Sequence, residues 1–368
     1  MLAEVVVDLG AIRANVAALQ SLVAPARVAG VIKSNAYGHG LREVAEAIAT
    51  LVDRLCVYEL EEAVALRDAG ISARIHVLGP ITPGDLDIAH AANVELTLWD
   101  DATYAAQVAS VARRRRTPFT IHAKIDTGVT RLGMRASDAP RVLERYRAQP
   151  EYRIAGVFSH LAAAEELDSN YTEEQLRHFL GATAAFDPSV ERHIAASAAA
   201  MLWPQTRLGA VRAGIALYGI WPSAPTQTIM HERGLALQPA LTWRTQIVAV
   251  HDVPAQTFVG YGCTYRTERA SRIGVLPIGY AEGLARAASN TAWVLTGGVR
   301  VPIVGRVCMN MTFIDITDAP QADSGSIVTL IGRDGSEHID ANEAGAWADT
   351  IGYEVVARLP ARIPRSYR

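Results

Sequence analysis

Residues 27–60, RVAGVIKSNAYGHGLREVAEAIATLVDRLCVYEL, contain two short apolar runs with a helix-like segment between them. The runs RVAGVIKSN and RLCVYEL are continuous and apolar, whereas LREVAEAIATLV spaces its apolar residues at intervals of three and four. Continuous apolar runs are typical of buried parallel strands, and the second spacing is typical of an amphipathic helix. The segment therefore predicts a strand, a helix and a second strand of one parallel sheet.

The same alternation continues as far as residue 220 and gives eight apolar runs. They are RVAGVIKSN, RLCVYEL, ARIHVLGP, VELTLWD, FTIHAKIDTG, IAGVFSH, HIAASAAA and VRAGIALYGI. Eight strand-and-helix units in under 200 residues favour a (β/α)8 TIM barrel, an α/β fold. A doubly wound open sheet usually has fewer units and a GxGxxG motif after its first strand, and neither feature is present.

The composition changes after Ile220. Residues 221–243, WPSAPTQTIMHERGLALQPALTW, are rich in Pro, Thr and Gln and predict a linker followed by a new strand. The runs beyond it are β-branched, separated by Gly, Pro and Asp, and predict a mostly β C-terminal domain. We therefore expect a barrel domain at residues 1–228 and a β-rich domain at residues 229–368, with the extreme N-terminal strand packed on the second domain.

Composition and charge narrow the classes of function. Half of the 368 residues are hydrophobic and a fifth are charged, which is typical of a globular protein. The net charge of −3 provides no basic field for nucleic acid or for an anionic membrane surface. The opening MLAEVVVDLG lacks a basic leader region, and no apolar stretch approaches about 18 residues, so we expect a cytoplasmic location. Three scattered cysteines predict neither a disulfide framework nor a zinc site.

Lysine is nearly absent, since the 35 basic residues comprise 33 arginines and only Lys33 and Lys124. Arginine replaces lysine readily on a solvated surface, but its guanidinium stays protonated and is a poor nucleophile. An amine is required where a Schiff base must form. The two remaining lysines are therefore candidates for chemistry, the alternative being chance survival on the surface.

Active sites of (β/α)8 barrels lie at the carboxyl ends of the strands, and the residues at those ends indicate a cofactor. Lys33 follows the first run, where apolar neighbours would lower the pKa of its amine, although a strand-end lysine can also simply extend into solvent. The last strands of a barrel often build a phosphate site, and Ser197, Gly214 and Ile215 stand there. A reactive amine together with a phosphate site is what pyridoxal 5'-phosphate requires. The same position rule selects His160 and Arg212.

Eight segments resemble, in order, the motifs of the alanine racemases, which are pyridoxal-phosphate enzymes with a barrel and a C-terminal β domain. They are VIKSNAYGHG, KIDTGVTRLG, GVFSH, VRAGIALYG, GYGCTY, LPIGYAEG, GRVCMNM and IGYEVVARLPARIPR. The resemblance extends from VVVDLGAIRANV, residues 5–16, to the last ten residues. It implies an isomerase that interconverts L-alanine and D-alanine for peptidoglycan.

The resemblance implies two bases on opposite faces of the substrate. Lys33 would carry the cofactor and act on one face, and Tyr261 would act on the other, because racemisation needs one group to remove the α-proton and another to return one. His160 and Arg212 would be the neighbours that tune them. Arg212 would face the pyridine nitrogen of the cofactor, where a permanent cation disfavours ring protonation.

The remaining assignments also come from the resemblance. Arg131 and the backbone N–H of Met309 would hold the substrate carboxylate, and Lys124 would be a carbamylated lysine that orients Arg131, or else a lysine in an ordinary ion pair. The other matching positions are Tyr37, Ser197, Gly214, Ile215 and Tyr353 for the phosphate, and Tyr280 and Arg306 for the lining of the entrance. Independently of the resemblance, Cys308 is a candidate for lining the site, the alternative being a buried core thiol. In the family the β domain enters the barrel mouth of a partner subunit, so we expect a homodimer with composite sites.

Three positions depart from the pattern of many family members, namely Ala196, Glu282 and Asn310. None of them removes a base, but the loss of a carboxylate at Asn310 could change the entrance and the substrate range. A serine or broad-specificity racemase of the same family is therefore the nearest alternative. An amino-acid decarboxylase would have no use for Tyr261, and a non-catalytic pyridoxal-phosphate protein would lack the β domain.

Overall fold

The computed structural model describes residues 2–368. The first part of the chain alternates strands and helices, as the apolar runs predict. Its strands are β1 (Ala3–Val7), β2 (Arg27–Val31), β3 (Arg54–Val57), β4 (Ile75–Val77), β5 (Glu95–Leu98), β6 (Phe119–Asp126), β7 (Met134–Arg135), β8 (Tyr152–Phe158), β9 (Glu191–His193) and β10 (Ala210–Ala213). Its helices are α1 (Leu9–Val23), α2 (Lys33–Tyr37), α3 (Leu41–Ile48), α4 (Leu60–Asp68), α5 (Leu86–Ala91), α6 (Ala102–Arg115), α7 (Ala139–Arg147), α8 (Tyr171–Thr183), α9 (Ser197–Leu202) and α10 (Ala224–Glu232).

Eight of these strands form the predicted (β/α)8 barrel. Parallel pairing runs in the order β10, β2, β3, β4, β5, β6, β8 and β9. The cylinder closes between its two ends, where Ala196 bridges Arg212 in parallel and the Arg212 N–H donates to the carbonyl of Ala195 at 3.0 Å. The carboxyl ends of all eight strands therefore meet at one rim.

The interior of the barrel is more polar than its apolar strand sequences suggest. Arg54 is fully buried and pairs with Glu191 across the barrel, and Asp53 accepts from its guanidinium at 2.5 Å. His76, His122 and His193 are also fully buried on inward-facing strand positions. Buried charges and imidazoles persist only where they find partners, so the strands are held together by a connected polar network as well as by apolar contacts.

The second part of the chain is mostly β, as predicted. Its strands are β11 (Leu241–Gln246), β12 (Ala249–Val253), β13 (Phe258–Val259), β14 (Tyr265–Arg266), β15 (Ser271–Leu276), β16 (Trp293–Thr296), β17 (Val299–Val304), β18 (Thr312–Asp315), β19 (Ile327–Asp334), β20 (Glu337–Ile339) and β21 (Arg365–Tyr367), with helices α11 (Ala341–Ala346) and α12 (Gly352–Ala357). The main sheet has the order β12, β15, β18, β17, β16, β19, β11, β1 and β21, and β20 pairs with β19. The strand β1 thus pairs antiparallel with β11 and parallel with β21.

The predicted linker at residues 221–243 is only partly irregular. It contains the helix α10, which begins after Ser223, whose side chain caps Thr226, and which carries Pro225 in its first turn. The prediction of a linker was wrong over this helix, because a Pro- and Thr-rich composition hid an ordinary serine cap with proline just inside. The proposed boundary after residue 228 falls inside α10.

Two strand ends also lie earlier than predicted. The run HIAASAAA contains only the end of β9, and a helix begins at Ser197. Lys33 follows the end of β2 by two residues. Between Leu2 and Arg368 no helix is both long enough and apolar enough to cross a membrane.

Candidate active site

One cavity of about 1050 Å³ opens at the rim where the barrel strands end. Residues that follow β2, β6, β8, β9 and β10 line it, and they come from chain segments far apart in sequence. Ten of the predicted site residues line this cavity: Lys33, Tyr37, Lys124, Arg131, His160, Ser197, Arg212, Gly214, Ile215 and Tyr353. The fold therefore brings together two thirds of the predicted site within one chain.

The segment α2, Lys33–Tyr37, is a left-handed turn and not a right-handed helix. Ser34, Asn35 and Ala36 all have φ between 52° and 55°, a conformation that L-residues adopt only at a cost. The side chain of Asn35 holds the turn, because its Oδ1 accepts from the N–H of Leu41 at 2.9 Å. This turn places both Lys33 and Tyr37 on the cavity wall.

The environment of Lys33 favours its neutral amine. Burial lowers the pKa of Lys33, and the positive charge of Arg131 lowers it further, whereas Glu62 acts in the opposite direction. The amine also lies 5.7 Å from the centre of the Tyr58 ring. A lysine with a lowered pKa in a cavity is a candidate nucleophile.

Arg212 is buried and fixed by protein acceptors on both terminal nitrogens. Its Nη1 donates to His193 Nδ1 at 2.7 Å and to the carbonyl of His193 at 3.0 Å, and its Nη2 donates to the carbonyl of Ser159 at 2.7 Å. In residues 2–368 its Nε has no hydrogen-bond partner. Burial lowers the pKa of Arg212 to about 10, so the guanidinium remains a cation at neutral pH.

His160 lies beside this cation. Its Nδ1 is 3.4 Å from Arg212 Nη2, and since arginine can only donate, Nδ1 accepts and any proton of the neutral ring sits on Nε2. Burial and the charge of Arg212 lower the pKa of His160 to about 3. The residue therefore offers a neutral imidazole with an Nε2–H donor over the whole physiological pH range.

The far end of the cavity carries a cluster of hydroxyl and backbone donors. Ser197 Oγ accepts from the N–H of Gly214 at 3.0 Å, while the N–H of Ile215 donates to no acceptor in the described chain. A Cβ on Gly214 would lie 2.7 Å from the Tyr37 hydroxyl, so only glycine leaves this space open. The Tyr353 ring lies 6.4 Å from that of Tyr37. Burial raises the pKa of Tyr37 to about 12 and that of Tyr353 further, which keeps both hydroxyls protonated as donors.

Lys124 and Arg131 stand on the side of the cavity formed by β6 and its following loop. Burial, followed by the charges of Arg212 and Arg131, lowers the pKa of Lys124 to about 8. Its amine lies 5.2 Å from the centre of the Phe158 ring, and Arg212 Cζ lies 5.2 Å from the same ring. Arg131 has no ion-pair partner among residues 2–368. Neither side chain forms an ion pair within the described residues, although the charge of Asp126 raises the pKa of Lys124, so both cations are available to an anion in the cavity.

The other five predicted residues do not line this cavity. Tyr261, Tyr280 and Met309 are 75%, 43% and 57% exposed on the β domain. Two hydrogen bonds connect Tyr280, Cys308 and Arg306, since the Tyr280 N–H donates to the carbonyl of Cys308 at 3.0 Å and the Cys308 thiol donates to the carbonyl of Arg306 at 3.4 Å. Within one chain, Lys33 and Tyr261 therefore lie in separate places.

Sequence reasoning missed several residues of the cavity and the barrel interior. Tyr58 and Phe158 both line the cavity, and Phe158 was recoverable, because it lies two positions before His160 and strand side chains alternate. Glu95, His122 and His193 were hidden inside runs that look like apolar strands. A charged or imidazole side chain inside such a run is itself a signal, since a parallel barrel strand is covered on both faces.

Comparison with known proteins agrees with the fold and the cavity. Residues 7–222 match the family model described as alanine racemase, N-terminal domain, and residues 240–367 match the one described as alanine racemase, C-terminal domain. The chain is thus an isomerase of the amino-acid racemase class. More specifically, it belongs to the alanine racemase family.

Individual relatives match over nearly the whole chain. An alanine racemase from Symbiobacterium thermophilum is 39% identical over 98% of this chain and 96% of its own length. One from Methanococcus maripaludis is 36% identical over 98% of this chain and 97% of its own length. The crystal structure of alanine racemase from the D-cycloserine-producing Streptomyces lavendulae is 33% identical, covers 100% of this chain and 97% of that chain, and superposes with a TM-score of 0.93.

Proposed function

We propose that this protein racemises alanine with pyridoxal 5'-phosphate held in the barrel cavity. The observation that carries the proposal is the placement of the lowered-pKa amine of Lys33 and the open glycine cradle at Gly214 in one cavity. An amine for an aldehyde and a set of donors for a phosphate are the two ends that this cofactor needs.

The residues present fit the cofactor at three points. Tyr37, Ser197, Gly214, Ile215 and Tyr353 would hold the phosphate, and Lys33 would hold the aldehyde carbon. The unpartnered Nε of Arg212 is the donor left for a ring nitrogen. When bound, the cofactor supplies an aldehyde that reacts with amines and a ring that draws electrons from the substrate α-carbon.

The chain's own residues then bind the substrate and move its proton. Arg131 attracts the carboxylate of the amino acid, and Lys33, once its amine is free and neutral, takes or returns the α-proton on one face. Arg212 stays charged at its position and limits how far electron density is withdrawn from the α-carbon. Limiting that withdrawal would favour return of the proton to the α-carbon over other outcomes.

We further propose that Tyr261 of a second copy of the chain is the base on the opposite face. Tyr261 is exposed and does not line the cavity of its own chain, so a single chain does not bring it to Lys33. The Nε2–H of His160 could hydrogen-bond to the incoming phenol oxygen. The backbone N–H of Met309, which has no partner in the described residues, could bind the substrate carboxylate from the same side.

The family also suggests the setting of the reaction. We propose a cytoplasmic enzyme that supplies D-alanine for peptidoglycan, acting as a homodimer. Asn310 donates through Nδ2 to Glu282 Oε1 at 3.0 Å, which joins two of the three departures from the family pattern in one surface contact. A racemase with serine or broad specificity is the alternative that this contact leaves open.

Chiral analysis of the products tests the proposal. The purified protein is loaded with pyridoxal phosphate and incubated separately with L-alanine, L-serine and L-lysine, and Lys33→Ala is the matched control. We expect D-alanine in large excess over the other D-products, and an absorbance band of lysine-bound cofactor that Lys33→Ala lacks. D-serine at a comparable rate would favour the broad-specificity alternative, and no D-product at all would refute racemisation.

A further inference from the structure

A series of hydrogen bonds runs through the barrel interior from Glu95, at the amino ends of the strands, to Arg212. Arg212 Nη1 lies 2.7 Å from His193 Nδ1, and His193 Nε2 lies 3.0 Å from His122 Nδ1. His122 Nε2 in turn lies 2.9 Å from Glu95 Oε2. Glu95 is the first residue of β5, whereas Arg212 lies near the end of β10, so this series of hydrogen bonds spans the height of the barrel. Both imidazoles are fully buried.

The donors and acceptors in this series of hydrogen bonds allow only one arrangement of protons. Arginine only donates, so His193 Nδ1 must accept, and the single proton of that neutral ring sits on Nε2. That proton points at His122 Nδ1, which must therefore accept as well. The proton of His122 then sits on Nε2 and is donated to Glu95. A protonated imidazole at either position would put two donors face to face.

The Glu95 end of this series of hydrogen bonds is held in place by an arginine. Glu95 Oε1 accepts from Arg74 Nε at 2.7 Å, so the carboxylate has a fixed orientation and its second oxygen is turned to His122. A fixed carboxylate at one end polarises each hydrogen bond in the same direction. His193 thereby becomes a stronger and better oriented acceptor for Arg212.

We propose that Glu95, His122 and His193 form a directional positioning relay that fixes the Arg212 guanidinium with its Nε free toward the cavity. The inference rests on the proposed function, in which Arg212 faces the ring nitrogen of the cofactor. No proton moves along the relay. Its role is to hold a cation at one place and angle while charge develops nearby.

The electrostatic surroundings agree with this arrangement. Burial lowers the pKa of His122 and His193 well below the ordinary value, and the nearby cations Arg54 and Arg212 lower both further, with Arg74 adding to the effect at His122. His76 stacks on His122 with ring centres 4.1 Å apart but donates to Thr97 at 3.0 Å instead. His76 is thus buried in the same layer and lies outside the relay.

The proton positions can be read directly in the unaltered protein. Full-length protein labelled with ¹⁵N-histidine is examined by NMR without cofactor and after loading, with His122→Phe and His193→Phe used for assignment. We expect both rings to be neutral with the proton on Nε2, without change between pH 5.5 and 9. A proton on Nδ1 of either ring, or an imidazolium signal in this range, would overturn the relay. This result does not depend on racemase activity.

A double-mutant cycle tests whether the relay acts through Arg212. We expect His122→Phe to lower kcat about tenfold with KM unchanged, and to raise the fraction of turnovers that end in transamination. In an Arg212→Lys background, His122→Phe should lower kcat less than about twofold, because His193 no longer accepts from a guanidinium. The matched control His76→Phe should leave both readouts unchanged.

The outcomes separate the relay from the proposed function. If His122→Phe costs the same in both backgrounds, or if His76→Phe has the same effect, the role of His122 is structural and the relay is wrong. If the unaltered loaded protein does not racemise alanine, the proposed function fails, and the NMR result still decides whether the relay exists. If His122→Phe does not fold, the decision rests on the unaltered protein, with Glu95→Gln used for assignment.

Discussion

Ser197 Oγ accepts a hydrogen bond from the N–H of Gly214 at 3.0 Å and thereby joins the segments that follow β9 and precede the turn at Ile215–Tyr218. Gly214 also faces the Tyr37 hydroxyl so closely that a Cβ would lie 2.7 Å from it. This contact ties the proposed phosphate site to the turn after Lys33. The two ends of the cofactor would be set by one connected piece of structure.

We therefore expect Gly214→Ala to weaken the binding of pyridoxal phosphate about tenfold, roughly 1.4 kcal/mol, because the added methyl group displaces the Tyr37 hydroxyl. Fluorescence titration of cofactor-free protein gives the dissociation constant. Gly181→Ala is the control, since Gly181 lies in α8 with nothing near its Cβ position. Equal affinities of the two variants would argue against a phosphate at this site.

Lys124 should react with carbon dioxide. Its pKa of about 8 leaves about three quarters of the amine neutral at pH 8.5 and about one per cent at pH 6.0, and only the neutral amine forms a carbamate. We expect a carbamate signal in ¹³C NMR of protein in ¹³C-bicarbonate at pH 8.5 that is weak at pH 6.0. Lys124→Arg should abolish it, and a signal that survives this change would assign the carbamate elsewhere.

His160 should make the fold less stable in acid. Its pKa is about 3 in the folded chain and about 6.5 when unfolded, so below pH 6.5 the unfolded state binds a proton that the folded state does not. Stability is therefore lost as pH falls through 6.5. Between pH 6.5 and 5.0 this amounts to roughly 1.5 kcal/mol of unfolding free energy.

Urea unfolding at the two pH values measures that loss. Between pH 6.5 and 5.0, we expect the free energy of unfolding of His160→Gln to fall by roughly 1.5 kcal/mol less than that of the unaltered protein. His178→Gln is the control, because His178 is exposed on α8. An identical loss in the unaltered protein and in His160→Gln would mean that folding does not lower the pKa of His160.

Arg212 should control which products form. We expect Arg212→Glu to slow racemisation and to increase transamination, because a carboxyl group in place of the cation permits protonation of the cofactor ring and prolongs the carbanion. Arg212→Lys keeps the charge and loses the Nε donor, so its ratio of racemisation to transamination should be closer to that of the unaltered protein. Chiral analysis with quantitation of pyruvate gives the ratio. An unchanged ratio in Arg212→Glu would contradict this role.

The sequence predicted the barrel well because each strand is a short apolar run covered on both faces. Most of the ten predicted residues that line the cavity lie at or just after barrel strand ends, which meet at one rim, whereas Tyr353 lies in α12 and was selected only by the family resemblance. Their roles in the site remain predictions. The sequence could not predict the relay residue His122, since hydrogen bonds between strands depend on register. The helix α10 was missed although Ser223 and Pro225 carry an ordinary start signal.

The proposed role of Tyr261 requires a second copy of the chain. Its side chain is 75% exposed, and Lys33 lies in a cavity that Tyr261 does not reach. Only the family resemblance suggested that a partner would bring the two together. The proposed two-base reaction therefore depends on a composite site.

Subunit complementation tests that claim most directly. Lys33→Ala and Tyr261→Phe proteins, each inactive alone, are unfolded together in equal amounts, refolded with pyridoxal phosphate and assayed for D-alanine. If each site combines Lys33 of one chain with Tyr261 of the other, half of the dimers are mixed and each has one intact site, so about a quarter of the activity of identically refolded unaltered protein should return. If the mixture remains as inactive as its components, the composite two-base site is contradicted.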